Sequence, residues 1–145
     1  MPTASFSVQI ARPRSEVFAF LADLRNATSW MSIVDTVELV GGTPGEVGAR
    51  FLVTNERGIL DDIVVDYATA EVEADASLRF EVKHPKLTGA DTYRLSDRDG
   101  GTFVEYDSDF TYTGLNKLST PIGALAVKAL ARGMDEDLRE RLENG

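Results

Sequence analysis

Between Val34 and Thr113 apolar and polar residues alternate, broken only at Gly41-Gly42, Asn55 to Gly58, Asp75-Ala76, His84 to Gly89 and Asp97 to Gly101. A period of two is what a strand with one buried face requires, because successive side chains point to opposite sides of a sheet. Breaks this short, rich in Gly, Asp and Asn, join strands as hairpins. The segment therefore predicts a six-strand antiparallel meander. One face of such a sheet must be covered by the rest of the chain.

The flanks supply that cover. Ala4, Phe6, Val8 and Ile10 alternate with Ser5, Ser7 and Gln9, predicting a further strand. The period then changes: Pro13 suits a first helical position, and Val17, Phe18, Leu21 and Leu24 follow at helical spacing. This predicts a short helix from about Pro13 to Asp23, with a second short helical turn ending near Trp30. Beyond the meander, Thr120 can cap and Pro121 open a long helix. Its apolar stripe runs through Ile122, Leu125, Ala126, Ala129, Leu130, Gly133, Met134, Leu138 and Leu142. Asp135, Glu136, Asp137, Arg139 and Arg141 read as the solvated face of that helix.

Composition narrows the function classes. A chain of 145 residues suits one domain, 1–145, burying roughly 68–70% of its unfolded surface, and no repeat or linker divides it. With 24 acids against 15 Lys plus Arg the net charge is −9, which argues against nucleic acid as a partner. Zero cysteines exclude disulfides, thiolate metal sites and a Cys nucleophile. His84 is the single histidine, so no multi-His metal site can form, and the adjacent Asp61 and Asp62 would point to opposite faces of a strand. No metal and no cofactor are expected. The first charge is Arg12, and the longest uncharged run near the C-terminus, Leu118 to Val127, is too short to cross a bilayer. The expectation is a cytoplasmic chain without membrane insertion.

The order strand, two short helices, six strands, long helix, carried by Pro13, Val17-Phe18, Leu21, Asp23, Trp30, then Gly45 and Gly48 before Phe51, resembles the helix-grip SRPBCC superfamily. That superfamily groups START lipid-transfer domains, pathogenesis-related allergens and polyketide aromatase/cyclases. The resemblance implies an α+β helix-grip fold: a curved seven-stranded antiparallel sheet wrapped around a long C-terminal helix, with two short helices between the first two strands. It also implies a cavity for an apolar ligand between sheet and helix. Its motifs are hydrophobic spacings rather than a catalytic signature, so no family catalytic residue carries over.

Hairpin pairing predicts which residues line that cavity, since residues opposite one another share a face. Placing Phe51 opposite Ile63 sets Ala49 against Val65 and Val47 against Tyr67. Placing Phe80 opposite Tyr93 sets Val82 against Asp91 and Leu78 against Leu95. In the last hairpin Leu95 meets Val104, Tyr93 meets Tyr106 and Asp91 meets Ser108, leaving Glu105, Asp107 and Asp109 outside and Phe110 inside. The expected ligand-binding set is Trp30, Phe51, Tyr67, Phe80, Asp91, Tyr93, Tyr106, Ser108 and Phe110 from one wall, with Leu125, Ala129 and Gly133 from the helix. The small residues Ala126, Ala129 and Gly133 would leave free volume above the sheet.

An inward Asp91 must protonate or find hydrogen bonds. Asp91 and His84, diagonal to it in this register, are the catalytic candidates, as a general acid or base. A Ser108, His84, Asp91 triad can be drawn, but Ser108 sits in mid-strand without a nucleophile elbow. Three functions follow from the pocket: binding a hydrophobic aromatic, polyketide-like or acyl molecule; a polyketide cyclase/dehydratase reaction using Asp91 and the tyrosines; or a protein-interaction module with a filled cavity.

Overall fold

The computed structural model describes residues 3–31, 34–55, 63–85, 87–112 and 133–144. In chain order its elements are β1 (Thr3–Ile10), α1 (Arg14–Ala22), a 3-10 turn (Leu24–Ser29), β2 (Val34–Gly41), β3 (Arg50–Asn55), β4 (Ile63–Glu73), β5 (Ser77–His84), β6 (Leu87–Arg98), β7 (Gly101–Tyr112) and α2 (Met134–Asn144). The seven strands form one antiparallel sheet in the order β1-β7-β6-β5-β4-β3-β2. The expected meander is present, and β1 closes against its last strand.

Pairing decides what faces the core. The β6–β7 turn is two residues, Asp99 and Gly100, both at positive φ, because Arg98 pairs with Gly101. Such a turn matches the twist of its strands and locks the register. Tyr93 therefore lies opposite Tyr106, Asp91 opposite Ser108 and Leu95 opposite Val104, as the alternation implied. Two other registers differ from expectation. Phe51 pairs with Tyr67, not Ile63, and Val53 with Val65; Val47 is 65% exposed. Phe80 pairs with Asp91 rather than Tyr93, Tyr93 with Leu78, and Val82 with Gly89. The offsets are four and two residues, and an even slip leaves every side chain on its original face.

The inner face buries Val8, Ile10, Phe51, Phe80, Leu78, Tyr93, Val104 and Tyr106 in one cluster with Val17, Phe18, Leu21 and Trp30. Pro13 ends the extended segment; its carbonyl accepts from Glu16 N and Val17 N, both at 3.1 Å, and opens α1. Asp23 stops α1 and caps the 3-10 turn, accepting from Arg25 N at 3.1 Å. The Arg25 side chain bonds the same carboxylate and holds its pKa below the usual range.

The C-terminal helix differs from the uninterrupted stripe. Gly133 has φ +87, a left-handed conformation that suits glycine, and its carbonyl accepts from Asp137 N at 3.0 Å. It is the N-cap of α2, not a mid-helix residue. A Cβ there would meet nothing within 4 Å, and Gly133 is exposed, so it does not face the sheet. The acids Asp135, Glu136 and Asp137 form the first turn, where the helix dipole favours negative charge. Met134 and Leu138 are buried, as the stripe predicted. Leu125 and Ala129, with the helix start at Thr120-Pro121, lie outside the described residues, as do Asp61 and Asp62. Arg12 ties the far end of α2 to β1, donating to Leu142 O and Glu143 O at 3.0 Å each. Ala11 N donates to Glu143 Oε2 at 2.8 Å.

Candidate functional site

Three adjacent rows of the inner face follow from the strand registers. The first is Phe6, Tyr106, Tyr93, Leu78 and Val72. The third is Phe110, Gly89, Val82, Tyr67 and Phe51. Between them runs Ala4, Ser108, Asp91, Phe80 and Thr69, one residue from each of β1, β7, β6, β5 and β4. This middle row holds the polar groups. Asp91, Ser108 and Thr69 are 4%, 3% and 2% exposed.

Burial of that kind needs partners. Yet Asp91 Oδ1, Ser108 Oγ and Thr69 Oγ1 make no hydrogen bond of full geometry. Ser108 and Tyr106 lie close enough to favour the ionised Asp91, but desolvation outweighs them and pushes its pKa up to about 6. Burial and the nearby Asp91 charge raise the Tyr93 and Tyr106 hydroxyls well above their ordinary range, with Tyr67 adding to the effect. The site thus holds a carboxyl that changes charge near neutrality beside phenols that stay protonated.

Aromatic rings carry the surface on either side. Phe6 stacks on Tyr106 at 4.9 Å, Tyr106 meets Tyr93 at 4.9 Å, Tyr93 meets Phe80 edge-on at 6.3 Å, and Phe80 meets Phe51 at 6.5 Å. Trp30 joins the series through an edge contact to Phe6 at 6.4 Å. Trp30 also backs a cleft of about 470 Å³ between the 3-10 turn and α2, lined by Thr28, Ser29, Met31, Asp137, Glu140 and Arg141. Ring contacts thus link Trp30, on the wall of this cleft, through Phe6 to Tyr106 and Tyr93. A second depression of similar volume lies on the opposite face of the sheet, over Arg79, Lys83, Thr92 and Asp107.

Of the residues singled out from sequence, Phe51, Tyr67, Phe80, Asp91, Tyr93, Tyr106, Ser108 and Phe110 share the inner face. Trp30 adjoins it, and Gly133 does not. His84 pairs with Leu87 at the hairpin end, four residues along β5 from the partner of Asp91, about 13 Å at strand spacing. It is not diagonal to Asp91, and no Ser108, His84, Asp91 triad is assembled. Thr69 was missed: its place in the polar row depends on the β4–β5 register, which the β3–β4 misalignment hid.

A family model described as polyketide cyclase / dehydrase and lipid transport matches residues 1–144. The chain belongs to this family. Its fold is the α+β helix-grip fold of polyketide cyclase/dehydrase and lipid transport proteins, as solved structures confirm. The di-domain ARO/CYC BexL is 12% identical with a TM-score of 0.73, covering 99% of this chain and 50% of its own. Ara h 8.0201 is 16% identical, with a TM-score of 0.67 and coverage of 97% and 96%. Protein CV1439 from Chromobacterium violaceum is 9% identical, with a TM-score of 0.70 and full coverage of both chains. No curated protein matches the chain in sequence. At these identities the structures speak for the fold of this family member and not for its ligand. Among the described residues no helix is long and apolar enough to cross a membrane.

Proposed function

We propose that the protein binds a hydrophobic small molecule, aromatic, polyketide-like or acyl, against the inner face of the sheet. The observation that carries this reading is the middle row: three buried polar side chains with unpartnered atoms, framed by aromatic rings. Apolar walls with a few convergent polar groups are the usual make-up of a small-molecule site. Asp91 Oδ1, Ser108 Oγ and Thr69 Oγ1 lie buried without a hydrogen bond of full geometry, at up to about 1–3 kcal/mol each, a cost that a polar group of a bound ligand would recover. That weighs against a protein-interaction module with a filled interior.

Native mass spectrometry of freshly purified protein, with organic extraction of anything retained, tests the reading. The expected result is a co-purifying apolar molecule, or saturable uptake of an apolar fluorescent probe that Phe80→Ala weakens. Protein that retains nothing and takes up no apolar probe would overturn it.

A second reading is a cyclase/dehydratase that moves a proton at a bound carbonyl compound. One feature favours it: a carboxyl with pKa about 6 is poised for general acid or base work near neutrality. A poly-β-carbonyl test substrate should then turn over, and Asp91→Asn should lose turnover with modest loss of binding. Binding without turnover leaves the carrier.

A further inference from the structure

The charges around the middle row are one-sided. Every Lys and Arg of the described strands, Arg50, Arg79, Lys83, Arg94 and Arg98, occupies an outward position. Arg50 is bonded there to Asp66, Arg79 to Glu71 and Arg94 to Asp107. On the inner face Asp91 is flanked by Tyr93 on its own strand, Tyr106 and Ser108 on β7, Phe80 on β5, and Ala4 and Phe6 on β1, with Tyr67 on β4 near the two other tyrosines. Among the described residues these flanking groups include no cation. A buried carboxylate that meets no cation among the described residues disfavours an anionic ligand and gains from any donor that reaches its open oxygen.

Resting on the binding reading above, we propose that this site selects ligands by a hydrogen-bond donor, an O–H or N–H, placed on Asp91 and excludes carboxylate head groups. The acceptors match a donor-bearing polar end: Asp91 Oδ1 is open, and Ser108 Oγ and Thr69 Oγ1 stand in the same row on either side of the Asp91–Phe80 pair. The flanking rings of Phe80, Tyr93 and Tyr106 suit an aromatic body, and a protonated amine would gain further from their faces. A free fatty acid would bring a second negative charge to a site where, among the described residues, the first meets hydroxyls but no cation. The exclusion is charge-based, so it weakens as Asp91 takes up a proton. With its pKa near 6, carboxylates gain entry in mildly acidic solution.

Four probes of equal ring size test this by isothermal titration on the full chain: naphthalene, 2-naphthol, 2-naphthylmethylamine and 2-naphthoate. At pH 7.5 naphthol, the amine, or both should bind at least about tenfold more tightly than naphthoate, and whichever does identifies the donor as neutral or cationic. At pH 5 the naphthoate deficit should shrink several-fold, and in Asp91→Asn it should already be reduced to that residual level at pH 7.5. Should Asp91→Asn fail to fold, the pH dependence in the unaltered protein carries the same test. Naphthoate binding as tightly as naphthol and the amine at pH 7.5 overturns the selection while leaving hydrophobic binding intact. Binding of none of the four, naphthalene included, overturns both.

Discussion

Replacing Asp91 by Asn should stabilise the protein at neutral pH and do so less as the pH falls. Burial raises the folded-state pKa of Asp91 from 3.8 to about 6. The folded state therefore holds the proton more tightly than the unfolded chain, and ionising Asp91 in place opposes folding. The penalty is absent below pH 3.8, grows between 3.8 and about 6, and is constant above. At about 1.36 kcal/mol per unit it reaches about 3 kcal/mol at pH 7.5 and about half that at pH 5. Asparagine keeps the size and one acceptor but never ionises. For a chain of this length 3 kcal/mol corresponds to roughly 6–12 °C in Tm. Any packing cost of the amide is the same at every pH, so the diagnostic is the difference in Tm between variant and parent. Differential scanning calorimetry from pH 5 to 8 should show that difference widening by several degrees and then levelling. Parallel curves would refute the reasoning: Asp91 would then be ionised without penalty, through solvent or a partner.

Arg12→Ala removes two charge-assisted bonds to the last carbonyls of α2, Leu142 O and Glu143 O, and should cost about 1–3 kcal/mol. Hydrogen exchange should rise in α2 before it rises in the sheet; unchanged α2 protection would show that apolar packing alone holds the helix. Gly89→Ala should be destabilising by about 1–3 kcal/mol or more, because a Cβ would strike Asp109 O and the Phe110 ring; an unaltered Tm would mean that β6 and β7 separate there at little cost. Gly133→Ala, and equally Gly133→Leu, should cost about 1–2 kcal/mol from the left-handed backbone alone, measured by urea unfolding. A gain in stability on adding Leu would restore the expectation of free space above the sheet at this position.

Period-two alternation makes the faces of the sheet legible: Asp91, Tyr93, Tyr106 and Ser108 share the inner face in sequence pattern and structure alike, because face depends only on parity. Exact register was legible only where the turn was short enough to leave no choice, as at Asp99-Gly100. The β5–β6 connection is tighter than the stretch from His84 to Gly89 suggested, since His84 already pairs with Leu87. That two-residue slip moved His84 away from Asp91. The break at Gly133 had a local signal, a glycine followed by Asp135, Glu136 and Asp137, which reads as a helix start; the apolar stripe passing through it masked the signal. Unsatisfied polar atoms had no such signal. Whether Thr69 or Asp91 finds a partner depends on side chains from strands far apart in sequence, and no local pattern records that.

The pairing of Thr3 with Asp109 joins residues more than a hundred positions apart, whereas β4 through β7 are linked by hairpins between neighbours. Closing a loop of that size costs roughly 2 kcal/mol more entropy than closing one of ten residues. The cost falls on β1, whose pairing with β7 is the most non-local strand pairing of the sheet. Until it docks, β7 is an open edge that can template another chain, and the Tyr106 ring lacks the Phe6 ring that stacks on it. Truncation or weakening of β1 then bares the backbone of β7 along its whole paired length and, because Val8 and Ile10 belong to the core cluster, opens the interior at the same time.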